Sequence, residues 1–174
     1  MDVILVALAL ICGQVSGAVV KVTVKQGVLA GLNTTTRSGK ILYEFNGVPY
    51  AKPPVGDLRF KLPAPQDPEP WSDVKSAIEV VPKCAQMGAG PEDCLYLNVW
   101  TPELPVDDIN PGLPVMVWIH GGAFALGNGN PRLCSPYFFI DKRVIVVMIN
   151  YRLGTFDCFW ETSEDKKAKE NDEI

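Results

Sequence analysis

Val115-Met116-Val117-Trp118-Ile119-His120-Gly121-Gly122-Ala123-Phe124 is the stretch that decides the fold of this chain. Its unbroken apolar run suits a strand covered on both faces, as in a parallel α/β sheet. The run ends in a glycine pair followed by a bulky anchor. Glycine permits positive φ and leaves no side chain between a ligand and the backbone. Successive N–H groups here can therefore converge on a developing oxyanion. A phosphate loop fits less well, because Asn128-Gly129 stands after Gly127 where Lys and Ser or Thr are required. A plain tight turn stays open on these residues alone.

Working outward, residues 143–149 form a second, nearly continuous apolar run rich in Val and Ile. The residues between the two runs are enough for a crossover with a short helix near 136–141, so the two read as parallel neighbours. Residues 19–24 alternate apolar and polar side chains, Gly27 punctuates them, and residues 28–32 return as a hairpin partner. Residues 41–45 and 95–100 are further strands. Residues 49–70 are too rich in proline for a central strand and read as an ordered surface wrap anchored by Tyr50, Leu58, Phe60 and Trp71.

With 174 residues, of which 47% are hydrophobic and 21% charged, the chain has room for one globular domain. A formal net charge of −4 argues against a nucleic-acid partner. The apolar run 3–12 is too short to span a bilayer and fits the core of a signal peptide over residues 1–17, which implies secretion. No later stretch is long and apolar enough for a membrane anchor. In an oxidising compartment cysteines favour disulfides. Cys84 and Cys94 enclose a loop with Gly88, Gly90 and Pro91 that is flexible enough to close, worth about 2–3 kcal/mol. Cys134 and Cys158 have no evident partner. With no C-x-x-C and a single histidine, no metal is expected, and no cofactor either. Asn33-Thr34-Thr35 is a glycosylation sequon in what reads as a polar loop, residues 33–40.

Four separated motifs then occur together. Residues 45–56 (Phe-Asn-Gly-Val-Pro-Tyr-Ala-Lys-Pro-Pro-Val-Gly) with Leu58-Arg59-Phe60 form the first, and residues 92–100 (Glu-Asp-Cys-Leu-Tyr-Leu-Asn-Val-Trp) the second. His120-Gly121-Gly122-Ala123-Phe124 and Asn150-Tyr151-Arg152-Leu153-Gly154 complete the set. In this order and spacing the chain resembles the N-terminal portion of type B carboxylesterases and cholinesterases. The resemblance implies a truncated α/β-hydrolase, a mixed, mainly parallel sheet with a small N-terminal antiparallel sheet, over residues 18–154. It implies an oxyanion hole at Gly121, Gly122 and Ala123, where Gly121 shapes the turn and the next two supply N–H donors. It further implies the disulfide Cys84–Cys94, a buried structural ion pair between Arg59 and Glu92, and carboxylic ester substrates in the full-length family. His120 matches the oxyanion loop and not the triad histidine.

The departures bear on activity. The family needs a serine in G-x-S-x-G, then an acid, then a histidine. None of Ser16, Ser38, Ser72, Ser76, Ser135 and Ser163 has glycines at that spacing, and no second histidine exists to serve as base. The motif match stops after Gly154, and residues 155–174 read as a divergent, charged, disordered tail, as from a truncated or alternative reading frame. The expectation is a fragment or short isoform of a secreted serine esterase, inactive alone. A non-catalytic extracellular binding or adhesion protein of the same family is the alternative. Cholinesterases carry a Trp in the long loop between their first disulfide cysteines. The Cys84–Cys94 loop is short and lacks one, which disfavours choline esters. Residues 115–119 are expected to form an unpaired apolar edge.

Overall fold

The computed structural model describes residues 17–60, 69–106, 111–132 and 134–158. The expected signal peptide, apart from Gly17, and residues 159–174 of the expected charged tail lie outside them. The alternating pattern of the first strands folds as a hairpin. β1 (Ala18–Val24) pairs antiparallel with β2 (Gly27–Thr35), and Gly27 sits at φ 146° where Trp71 leaves no space for a Cβ. β3 (Ile41–Pro49) pairs with β2 only along Leu32 to Thr35 and then leaves to pair with β5 (Tyr96–Thr101). Its departure frees the edge of β2 at Leu29 and Ala30, which takes up the two-residue β4 (Lys75–Ser76) in parallel. β5 pairs antiparallel with β7 (Ile145–Ile149), and β6 (Val115–Ile119) lies parallel to β7 at the end of the sheet. The path is β1-β2-β3-β5-β7-β6, with β4 on β2.

The expected mixed sheet is present. It is not mainly parallel as expected: among the described residues most pairings are antiparallel, and the N-terminal antiparallel strands are continuous with the rest through β3 instead of forming a small separate sheet. A parallel pair needs a long crossover, and residues 120–144 supply it between β6 and β7. They contain the short helix α1 (Tyr137–Ile140), capped by Pro136 and Asp141, after which Arg143 turns the chain toward β7 at φ 61°.

One face of the sheet buries Leu42, Trp100, Val146 and Met148 against Ile140 of α1. Burying each of these large side chains is worth about 1.5–3 kcal/mol, which makes this cluster the main support of the sheet's centre. Leu29, Phe45 and Ala77 pack on the other side with Trp71 and Val99. A third cluster gathers Ala51, Leu95 and the two cysteines 84 and 94, which are joined as a disulfide. Among the described cysteines Cys134 is free and packs against the first cluster.

β6 forms the exposed apolar edge expected of residues 115–119, and is not the strand covered on both faces that its apolar run suits: its five residues are between 41% and 63% exposed, since β7 is its one neighbour among the described strands. One further expectation needs correction. Residues 155–158 do not begin a disordered tail. Thr155–Cys158 form a helical turn, α2, because Phe156 stacks on Phe60 at 5.8 Å and the preceding Leu153 is buried.

Candidate functional site

β6 delivers the chain to His120, where it leaves the sheet and reverses. Gly122 has φ 126°, and a Cβ there would collide with the Leu126 carbonyl. Ala123 and Phe124 follow at φ 53° and 57°, a left-handed pair without glycine. Such conformations cost about 1–3 kcal/mol each and persist only when their surroundings fix them. Here the Gly122 carbonyl accepts the N–H groups of Ala125 (3.0 Å) and Leu126 (3.1 Å), closing the turn on itself. Among the described residues no acceptor takes the N–H of Gly122 or Ala123. Two adjacent, unengaged donors on a partly exposed turn are what a developing oxyanion requires.

The rest of the loop is fixed by side chains from three other segments. The Tyr151 hydroxyl donates to the His120 carbonyl (2.7 Å), and its ring stacks on the imidazole at 4.3 Å. The Gly154 N–H donates to the Phe124 carbonyl at 2.6 Å. Asn98 and Asn150, both buried, take the carbonyl (2.9 Å) and the N–H (2.8 Å) of Gly129. Asn150 also donates to the Pro82 carbonyl, and Asn98 accepts the Gly47 N–H at a bulge in β3. Gln86, inside the disulfide loop, accepts from and donates to the backbone of Gly127. Buried polar groups satisfied this fully hold one arrangement.

His120 is buried, and its Nδ1 lies 2.8 Å from the Gly121 carbonyl. A carbonyl only accepts, so the proton sits on Nδ1. Nε2 is buried without a partner among the described residues. The ring is therefore part of the loop's support, and none of the described serines bonds to it.

Of the sequence-predicted site residues, Gly121, Gly122 and Ala123 lie together on this turn. The Cys84–Cys94 bridge lies beside it, linked through Gln86. Arg59 and Glu92 do pair, with Nε 2.5 Å from Oε2, but their side chains are 45% and 25% exposed. The pair is thus not buried as expected, and an exposed pair is worth at most about 1 kcal/mol. Asn33 is half-buried in β2, opposite Ala18 and Tyr43, and not on a loop. The polar run was misleading there because Thr34 and Thr35 complete the pairing with β3. Gln86, Asn98, Asn150 and Tyr151 carry the loop's support, a role that motif reading had not given them. Among the described residues no cluster of His, Cys, Asp or Glu fit for a metal ion occurs, and no helix is long and apolar enough to cross a membrane.

Comparison with known proteins identifies the family and the fold. The carboxylesterase family model aligns with residues 18–172, past the end of the motifs at Gly154. The chain is 42% identical over 149 residues to juvenile hormone esterase of Tribolium castaneum, covering 81% of this chain and 24% of that protein. It is 41% identical over 162 residues to para-nitrobenzyl esterase of Bacillus subtilis, covering 86% and 31%. The crystal structure of juvenile hormone esterase from Manduca sexta, with OTFP covalently attached, superposes with a TM-score of 0.73. It is 38% identical, and the match covers 80% of this chain and 27% of that one. The chain thus spans 24% to 31% of the length of these relatives, has the fold of α/β-hydrolase carboxylesterases over that span, and belongs to the carboxylesterase family.

Proposed function

We propose that this chain forms the N-terminal, oxyanion-binding part of a serine-type carboxylic ester hydrolase. The observation that carries the reading is the left-handed turn at Gly122, Ala123 and Phe124, which leaves two adjacent N–H groups without acceptors. In serine acyl transfer such donors bind the oxygen that becomes negative as the nucleophile adds to the ester carbonyl. The attacking serine, its acid and its histidine have no counterparts in this sequence. The chain alone therefore contributes charge stabilisation without a nucleophile and does not turn over esters.

A chimera tests this directly. Residues 18–154 replace the matching segment of the Bacillus subtilis para-nitrobenzyl esterase, and hydrolysis of p-nitrophenyl acetate is followed. The chimera is expected to be active. Gly122→Ala puts a Cβ against the Leu126 carbonyl and displaces the two donor N–H groups, and is expected to lower kcat by about 100-fold or more, as when an oxyanion donor is lost, with KM changed little. An unchanged kcat in a folded Gly122→Ala chimera would remove the reading.

Export from the cell belongs to the same proposal, supported by the apolar run 3–12 and by the Cys84–Cys94 bridge. Expression in insect cells is expected to place the chain in the medium. A mobility shift on glycosidase treatment, lost in Asn33→Gln, is expected if Asn33 carries a glycan. Retention of the entire product in the cytosol would contradict export.

A further inference from the structure

We propose that Gln86 is a positioning residue for the oxyanion turn and that the disulfide loop exists, in part, to present it. This rests on the reading of Gly122 and Ala123 as oxyanion donors. The Gln86 amide makes three hydrogen bonds. Nε2 donates to the carbonyl of Gly127 (2.8 Å) and to that of Cys84 (3.0 Å), while Oε1 accepts the Gly127 N–H (2.9 Å). The bond to Cys84 orients the amide, so that its other two groups meet both backbone groups of one distant residue.

Gly127 is where such a hold acts on the turn. It follows Leu126, whose N–H closes on the Gly122 carbonyl, and it has φ 130°. Its α-carbon packs on the His120 ring too closely for a Cβ. The entrance of the turn is fixed by β6, its middle by Gly154, and its exit by Gln86. The platform beneath Gln86 is rigid. The bridge joins its ends, Ala85 donates to the Pro91 carbonyl, and Gln86 and Ala89 exchange both backbone bonds. Without the amide, the exit is free to relax, and the left-handed pair at Ala123 and Phe124 loses one of the restraints that make it persist.

The test uses the whole chain at micromolar concentration, with hydrogen exchange read residue by residue by mass spectrometry with electron-transfer fragmentation. Gln86→Met keeps the length and removes all three bonds. It is expected to speed exchange at Gly127, Ala125 and Leu126 by about tenfold, with the β1–β2 hairpin unchanged. Gln86→Glu keeps the acceptor but turns a carboxylate oxygen, with no proton to donate, on the Gly127 and Cys84 carbonyls, and is expected to leave all three amides as fast as in Gln86→Met. Unchanged exchange in Gln86→Met, or equal acceleration of the turn and the hairpin, would overturn the proposal. So would a parent chain whose Gly127 already exchanges as unstructured backbone. Exchange reports the clamp whether or not an ester is hydrolysed. A Gly122→Ala chimera of full activity would instead cancel the clamp's catalytic purpose and leave the exchange pattern intact.

Discussion

β6 and β7 are nearly the same strand in composition and lie hydrogen-bonded side by side in parallel register. Their surroundings differ completely. In β7, Val146 and Met148 are buried between β5, Trp100 and α1, whereas every residue of β6 is exposed. The difference teaches that an apolar run states what a strand is built to be packed against, not what covers it in a given chain. Within the described residues β7 is flanked by β5 and β6, and β6 by β7 alone.

The matched methionines break or sharpen this contrast most strongly. Met148→Ala is expected to cost about 2–5 kcal/mol in urea unfolding. Met116→Ala, on the same face one strand over, is expected to stay within about 0.5 kcal/mol. Equal losses at the two sites would mean that β6 is covered in solution.

Asn150→Ala comes next. It strips partners from the Gly129 N–H and the Pro82 carbonyl, and about 1–3 kcal/mol is expected from groups left unsatisfied in the interior. The result separates the polar scaffold behind β7 from the open flank of β6, where no substitution should approach that size.

A smaller, pH-dependent effect belongs to Glu44, which shares the α1 face with Trp100. Burial raises its pKa above the ordinary 4.5, opposed by hydrogen bonds from Trp100 and Asn46. Between 4.5 and the folded value the native chain holds a proton that the unfolded chain has released. Stability should therefore fall as pH rises through that window, and Glu44→Gln should flatten the slope in urea titrations at several pH values.

Val117→Lys is expected to leave stability within about 0.5 kcal/mol, yet to shift sedimentation toward monomer. An exposed apolar edge templates pairing with other chains, and a lysine blunts it. Concentration-independent sedimentation of the parent would show that the edge is already protected.

How much of this was legible in the sequence follows period and distance. The long strands were visible because their apolar spacing is set locally, and the turn proposed to bind an oxyanion because glycines mark it. β4 was not: Lys75 and Ser76 have no period, and they form a strand because β3 vacates the edge of β2. The left-handed conformations of Ala123 and Phe124 were equally hidden, since neither residue type announces positive φ. Gln86 gave no local signal because its partner lies 41 residues away. Asn98 and Asn150 stood inside recognised motifs, but only the fold shows both reaching Gly129.

The most direct measurement is labelling with a fluorophosphonate probe, applied in parallel to the chain of 174 residues and to the chimera that carries a nucleophile. No labelling of the chain and near-stoichiometric labelling of the chimera is the predicted result. A labelled serine in the chain itself would contradict the assignment of an oxyanion turn without a nucleophile.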